Sequence, residues 1–145
     1  MPDPMTTPKE QAEDLLNELL PFAEQLLTKH GEFFPFAGAL QPSGEVISIA
    51  GYDGRERPPS NDVISLLVHG LRNGASAGNY LATGLVYDVR VTPPSAAEPT
   101  NAIAVELEHR DGYAVKVFFP YVLSNAQAIL SSPFATANER GIFAG

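Results

Sequence analysis

A chain of 145 residues with nine lysines and arginines against seventeen aspartates and glutamates carries a net charge of −8. This length is typical of one domain and allows a hydrophobic core without disulfides or structural metals. The negative charge disfavours nucleic acid as a partner, because phosphates are repelled. The absence of cysteine excludes disulfides, thiolate catalysis and zinc sites built on cysteine.

No segment approaches the ~18 apolar residues that a membrane-spanning helix needs. The N-terminal sequence MPDPMTTPKE lacks the positive start and apolar centre of a secretory signal. We therefore expect a cytoplasmic protein with no membrane partner. We also expect one domain over residues 1–145, with a flexible lead-in at residues 1–6 and an irregular tail at residues 132–145.

The sequence TPKE at residues 7–10 predicts the start of a first helix. Thr7 has the position of a cap, a proline follows at the first helical position, and a glutamate has capping-box spacing. Apolar residues then recur every three or four positions on one face. Pro21 must kink or split this helix, and we favour a kink because the apolar pattern stays in phase across it. Gly31 is predicted to end the helix in the left-handed conformation.

The segment FFPFAGALQPSGEVISIAGY, residues 33–52, predicts a β-hairpin. Its turn follows from Pro42, which presets the first turn dihedral, and from Gly44, which supplies a positive φ. Pro35 cannot donate a ladder hydrogen bond, so it begins the first strand or lies at a sheet edge. The polar, proline-rich sequence DGRERPPSN at residues 53–61 predicts a loop.

A second helix is predicted to begin at Ser60 as its N-cap. Its apolar side is formed by five residues: Val63, Ile64, Leu67, Val68 and Leu71. Gly70, Gly74 and Gly78 then recur every four residues, and a helix continuing through them would offer a smooth ridge for close packing. We favour a helix that ends near Asn73, because each interior glycine costs about 1 kcal/mol relative to alanine.

Three strands are predicted by alternating apolar and polar residues, at 85–92, 103–108 and 113–121. A period of two residues is typical of half-buried antiparallel strands. The sequence TPPSAAEPTN separates the first two strands as a loop, and VLSNAQAIL at residues 122–130 predicts a short helix.

The last hairpin contains the sequence ELEHRDGY, in which acidic, basic and imidazole side chains are crowded together. A three-residue RDG loop with a left-handed glycine pairs Leu107 with Val115 and places His109 opposite Tyr113 on the apolar face. A two-residue loop would instead pair Leu107 with Lys116. Because a one-residue slip exchanges the two faces of a strand, we favour the three-residue loop.

The other face of this hairpin carries Glu106, Glu108 and Lys116. Glu106 and Lys116 are predicted to form a cross-strand ion pair that contributes ~0.2–1 kcal/mol. The two glutamates would lie roughly 7 Å apart by strand rise, a separation compatible with paired catalytic carboxylates. Such spacing is common in strands, and we interpret the cluster as the solvated charged face of a hairpin.

The three histidines, His30, His69 and His109, lack the spacing of metal ligands, so we expect no metal site. The sequence GLRNGASAG lacks the Gly-Lys-Ser/Thr ending of a phosphate-binding loop, and we expect no cofactor. A site assembled by the fold from His109, Tyr113 and a nearby carboxylate stays open as a catalytic alternative.

Aromatic residues gather in the sequences FFPFAG and FFPY. Phe34, Phe36 and Phe118 belong either to the core and strand ends or to an exposed apolar patch, and such patches usually mark an interface. Together with His109 and Tyr113 they are the predicted binding residues. We predict no catalytic residue.

The segments HGEFFPFAGALQPSGEV and ELEHRDGYAVKVFFPY together resemble an uncharacterised family of small bacterial domains. This resemblance implies no activity and no functional residues. Separately, the predicted order of helix, hairpin, helix, three-stranded meander and short helix is similar to that of roadblock and profilin-like domains. That likeness is topological, and a fold by itself does not determine a function.

The sequence therefore predicts an α+β domain with a five-stranded, mainly antiparallel sheet, built from a hairpin and a three-stranded meander. Both main helices are expected on one face of the sheet. The predicted function is that of a non-catalytic, homodimeric interaction module, which binds a protein partner or a second copy of itself through a sheet edge or aromatic patch. One version of this prediction is an immunity- or chaperone-like acidic protein that caps a basic partner. The alternative is a small hydrolase or ligand-binding enzyme that uses His109 with Tyr113 and a nearby carboxylate.

Overall fold

The computed structural model describes residues 7–50, 60–94, 96–125, 127–138 and 141–143. The predicted lead-in at residues 1–6 and most of the predicted loop at 53–61 lie outside the described residues. The elements in the described parts are, in chain order, α1 (Pro8–His30), β1 (Phe36–Leu40), β2 (Val46–Ala50), α2 (Ser60–Ser76), β3 (Ala82–Val91), β4 (Thr100–His109), β5 (Ala114–Ser124), β6 (Gln127–Leu130) and β7 (Phe134–Ala137). The combination of helices with an antiparallel sheet confirms the predicted α+β class.

Helix α1 begins and ends as its sequence predicts, and it is not split at Pro21. The backbone N–H of Glu10 donates to the Thr7 hydroxyl at 3.1 Å. Gly31 has a φ of 75°, and its N–H donates to the carbonyl of Leu27 at 2.8 Å. The apolar stripe of the helix is buried along its length, which stabilises the helix on the sheet although the proline removes one helical hydrogen bond.

The strands pair in the order β2-β1-β3-β4-β5-β6, and β7 also pairs with β5. All the pairings are antiparallel. The described residues thus form seven strands where the sequence predicts five. The two additional strands, β6 and β7, lie along β5, in the regions predicted as a short helix at residues 122–130 and as an irregular tail at 132–145.

The short helix predicted at residues 122–130 is wrong, because Val122 pairs with Ile129 across a β5–β6 hairpin. Asn125 has a φ of 51°, a left-handed conformation that turns the chain back on itself. Farther along, Phe118 pairs with Phe134 between β5 and β7. The backbone N–H and C=O groups of these two segments form hydrogen bonds with the edge of β5 that faces away from β4. The sequence of each segment gives no sign of this partner.

The β4–β5 register is the predicted one. Glu106 pairs with Lys116 and Leu107 pairs with Val115. The N–H of His109 donates to the carbonyl of Tyr113 at 2.7 Å, and Gly112 takes a φ of 109° in the intervening loop. Because the period of a strand is two residues, this register decides which side chains of the hairpin share a face.

The two helices pack on opposite faces of the sheet, which differs from the prediction that they share one. Phe36 and Val86 pack with α1, whereas their chain neighbours Ala37 and Leu85 pack with α2. Every residue of β1 is buried. A strand that is apolar at consecutive positions is typical of a sheet covered on both sides.

Gly38 and Gly84 pair directly across β1 and β3, and they make room for one leucine of α1. A Cβ atom at Gly38 would lie 2.5 Å from Leu19 Cδ2, and one at Gly84 would lie 2.6 Å from Leu19 Cδ1. The missing side chains therefore form a notch that lets α1 approach the sheet closely.

Helix α2 continues past Asn73 and ends at Ser76, so it includes Gly70 and Gly74 but not Gly78. The Tyr80 ring packs directly over Gly74, where a Cβ atom would clash. Gly78 takes a left-handed φ of 78° after the helix end. Tertiary packing on Gly74 thus compensates for the low helix propensity of glycine, which explains the longer helix.

Candidate functional site

His109 lies on the α1 face of the sheet and is only 1% exposed. Its Nδ1 accepts the backbone N–H of Asp111 at 3.0 Å, so the ring proton is on Nε2, which donates to Gln11 Oε1 at 2.6 Å. Burial lowers the pKa of His109, an effect that the nearby Asp111 carboxylate opposes. The neutral imidazole therefore joins the β4–β5 turn to α1.

The predicted pairing of His109 with Tyr113 is present across the hairpin, but it does not form an accessible site. Tyr113 is partly buried against the α1 core, and burial, together with the Glu13 carboxylate, raises the pKa of its phenol. Both ring nitrogens of His109 are already engaged. A general base must reach the proton it abstracts, and in this arrangement His109 would first have to release Gln11 or the N–H of Asp111.

Glu108 lies on the α2 face and is buried, at 5% exposure. This corrects the prediction of a solvated charged face. Both of its carboxylate oxygens lie 3.0 Å from the backbone N–H of Ile142, and Oε1 also accepts from Phe143 at 3.4 Å. We call residues 141–143 the C-terminal strap. Backbone donors of the strap replace water around the carboxylate, which allows its burial.

Glu106 lies on the same face and is only partly exposed. Its Oε2 accepts the Tyr87 hydroxyl at 2.6 Å and lies 3.8 Å from Lys116 Nζ. The predicted ion pair with Lys116 is confirmed, but its length exceeds that of a hydrogen bond, so it contributes modestly. Burial raises the pKa of Tyr87 far above its usual value, and the hydrogen bond to Glu106 adds to the effect.

Helix α2, strands β3–β5, the end of β7 and the strap surround a cavity of about 440 Å³, which we call the strap cavity. Its walls include apolar side chains of α2 and β3. Its polar residues are Arg72, Thr83, Glu106, Glu108, Lys116 and Asn138. Arg72 Nε donates to the carbonyl of Gly141 at 2.7 Å, which links α2 to the strap.

Sequence reasoning did not single out Arg72 or Asn138. Arg72 enters the cavity because α2 covers the second face of the sheet, and Asn138 because the chain returns along β5 after Leu130. One signal was available in the sequence. The unbroken apolar run of β1 indicates a strand covered on both faces, which requires a second layer over the meander.

The predicted aromatic residues do not form one patch. Phe36 is 8% exposed and packs edge-on with Phe22 and Phe33, at centroid distances of 5.0 and 5.8 Å. Phe34 is 49% exposed just before β1. Phe118 stacks on Phe134 at 5.0 Å on the other face, with β3 and β4 between it and β1.

A different apolar surface lies on the β5–β6 hairpin. Val122 and Ile129 share one face of this hairpin and are 56% and 51% exposed, and we call this pair the hairpin patch. Leu123, which is 45% exposed, lies on the opposite face, toward Gly31 at the end of α1. Val122 and Ile129 are a cross-strand pair. Pairing of β4 with β5 extends only as far as Pro120, so the hairpin projects beyond β4. Sequence reasoning missed this surface because it predicted a helix there.

Within the part of the chain that the structure describes, no group of three or more histidine, aspartate or glutamate residues is placed to hold a metal ion. Neither described helix is both long and apolar enough to cross a membrane. Comparisons of the chain with protein-family models, curated proteins and solved structures found no match. A functional assignment therefore depends on the geometry of these surfaces.

Proposed function

We propose that this protein is a non-catalytic interaction module that forms a homodimer through the hairpin patch. The observation that carries the proposal is the exposure of Val122 and Ile129, a cross-strand pair on one face of the projecting hairpin. Contiguous exposed apolar side chains usually mark an interface, because their burial on association releases water from apolar surface.

Charge distribution favours a second copy of this chain over a basic partner. The net charge is −8, yet residues 117–138, which include the whole patch, contain no charged side chain. A basic partner would need acidic residues at the contact, whereas an uncharged apolar surface suits its own copy. A two-fold axis through the patch would bring identical surfaces together without juxtaposing the acidic parts of the two chains.

Strand geometry also supports self-association. Strand β6 ends the row of paired strands. An edge strand presents backbone donors and acceptors that pair readily with another strand, and two antiparallel copies can do so symmetrically. The N–H of Ala128 on this edge already contacts Thr28 Oγ1 at 3.5 Å, so the hairpin offers its other edge groups, together with its apolar side chains, to a partner.

The enzyme alternative has weaker geometric support. His109, its central residue, is 1% exposed and has hydrogen bonds at both ring nitrogens. A substrate would have to displace Gln11 or the backbone of Asp111 before it could contact the imidazole.

Sedimentation velocity over a concentration series tests the homodimer. We expect a dimer for the wild type and mainly monomer for Ile129→Lys, with dimerisation weakened by more than about 100-fold, because an unpaired ammonium buried in an apolar interface costs several kcal/mol. Leu66→Lys is the matched control, since Leu66 is 43% exposed on α2, outside the patch. A wild type that stays monomeric at the highest soluble concentration contradicts the proposal.

A further inference from the structure

Three side chains that line the strap cavity carry hydrogen-bond donors with no acceptor within hydrogen-bonding distance among the described residues. Lys116 Nζ lies 3.8 Å from Glu106, beyond hydrogen-bonding distance. The Nδ2 atom of Asn138 is shielded from solvent and has no hydrogen-bond partner among the described residues. Arg72 donates from its Nε to the strap carbonyl of Gly141, and its two terminal nitrogens have no hydrogen-bond acceptor among the residues that the structure describes.

The two carboxylates of the cavity, in contrast, accept hydrogen bonds from the protein itself. Glu108 accepts the backbone N–H groups of Ile142 and Phe143. Glu106 accepts the Tyr87 hydroxyl. A ligand that satisfies this cavity must therefore bring acceptor atoms, since a buried donor without a partner costs about 1–3 kcal/mol.

Charge and shape restrict the ligand further. Among the described residues that line the cavity, Arg72 and Lys116 carry two positive charges and Glu106 and Glu108 two negative ones, so net charge does not favour a dianion such as phosphate over a monoanion. A single carboxylate can use the guanidinium fork and the amide donor while keeping its distance from the glutamates. The apolar walls of the cavity can hold the hydrocarbon part of such a ligand. These walls are formed by Val68, Leu71, Leu85 and Ile142.

We propose that the strap cavity is a binding site for a small monocarboxylate with an apolar body. Its carboxylate contacts Arg72, Lys116 and Asn138, and its hydrocarbon part packs between α2 and the sheet. The volume of about 440 Å³ lies within the range of about 300–1,000 Å³ that is usual for small-molecule sites. This site is on the α2 face of the sheet and does not depend on the hairpin patch.

Titration of the isotopically labelled full chain with 4-methylpentanoate, followed by amide NMR, tests the site. We expect saturable shifts at Val68, Leu71 and Lys116. The matched ligand 4-methylpentanamide has the same body without the charge, and we expect it to bind at least about tenfold more weakly. Saturation by inorganic phosphate at lower concentration, equal binding of the amide, or an absence of saturation by the carboxylate overturns the proposal.

Two substitutions locate the binding. Asn138→Asp replaces an amide donor by a carboxylate of nearly the same shape, and Lys116→Gln removes a cation. Each is expected to weaken 4-methylpentanoate binding by at least about tenfold. Lys29→Gln, on α1, is the control with the same change in charge and is expected to bind as the wild type does. Unchanged affinity in both cavity variants, each shown to be folded by its NMR spectrum, contradicts the assignment.

The same titration on Ile129→Lys separates this inference from the proposed homodimer. The variant is expected to retain carboxylate binding, because Ile129 belongs to the hairpin patch and not to the cavity. Loss of binding in this variant would mean that the cavity is complete only in the dimer, and would overturn the independence of the two sites.

Discussion

The two faces of the β4–β5 hairpin satisfy their polar groups in different ways. On the α1 face, Leu107 and Val105 are fully buried, and the buried polar side chain, His109, has hydrogen bonds at both nitrogens. On the α2 face, Glu108 is held by the strap, but Lys116 and Asn138 retain donor capacity. The polar group of the first face is fully hydrogen-bonded, whereas the second face keeps donors for another molecule. Residues of the two faces alternate along the same strands.

The largest expected effect is on the α1 face. Leu107→Ala should lower the free energy of unfolding by about 2–5 kcal/mol, because it removes buried methyl groups and leaves a cavity beneath α1. Urea denaturation measures the change. Leu66→Ala, at an exposed position of α2, is the control, with an expected change within about 0.5 kcal/mol. Equal effects at the two positions would contradict the assignment of Leu107 to the core.

The next effect tests the strap. Glu108→Gln replaces a carboxylate acceptor of two backbone N–H groups by a neutral amide oxygen, which weakens the hydrogen bonds to Ile142 and Phe143 by about 1–3 kcal/mol together. Amide hydrogen exchange at Ile142 and Phe143 should become faster. Glu106→Gln is the matched control on the same face, and it should leave exchange in the strap unchanged. If amide exchange in the strap became faster in the Glu106 variant and not in the Glu108 variant, the assignment of Glu108 as the residue that holds the strap would be contradicted.

The third effect concerns pH. The pKa of His109 is below its usual value of 6.5 in the folded protein, so the unfolded chain binds more protons at mildly acidic pH. The contribution of the neutral imidazole to stability is therefore complete above about pH 6.5 and declines as the pH falls toward the folded-state pKa. His109→Gln should reduce this decline and lower stability at neutral pH by about 1–3 kcal/mol.

Urea denaturation between pH 5 and pH 8 measures that dependence (a range spanning roughly the usual titration of histidine). His69→Gln, which removes an exposed histidine of α2 and keeps His109, is the control for the loss of a histidine in general. If His109→Gln leaves the acid-side decline unaltered, the buried imidazole is not its source.

The smallest effect is that of the cross-strand ion pair. A double-mutant cycle of Glu106→Ala and Lys116→Ala should give a coupling of about 0.2–1 kcal/mol, because the groups are 3.8 Å apart and partly solvated. The coupling should decrease as the salt concentration rises. A coupling above about 2 kcal/mol would indicate a buried pair and a different geometry of the α2 face.

Several features of this fold were predictable because they depend on neighbours in the chain. Thr7 and Gly31 cap α1 through contacts within one helical turn. Gly112 closes the β4–β5 loop with a positive φ, and the alternation of apolar residues then sets the register. The prediction of Glu106 opposite Lys116 followed from that register alone.

The β6 hairpin, the strap and the strap cavity were not predictable in the same way. Ile142 is 34 residues from Glu108 in the chain, and the sequence contains no local signal for their hydrogen bond. The segment at residues 122–130 has no strong period, so its conformation was decided by the open edge of β5. The hairpin patch and the strap cavity both lie in these regions. For this reason the binding residues predicted from the sequence do not include those of either surface.

Caps, turns and the alternation of side chains are short-range properties, and the amino-acid sequence alone determined them here. The placement of α2 on the second face, the return of the chain along β5 and the burial of Glu108 depend on contacts between distant segments. Local sequence cannot decide these features. Burial of a polar group such as Glu108 is favourable only when hydrogen-bond donors from a distant segment replace water around it.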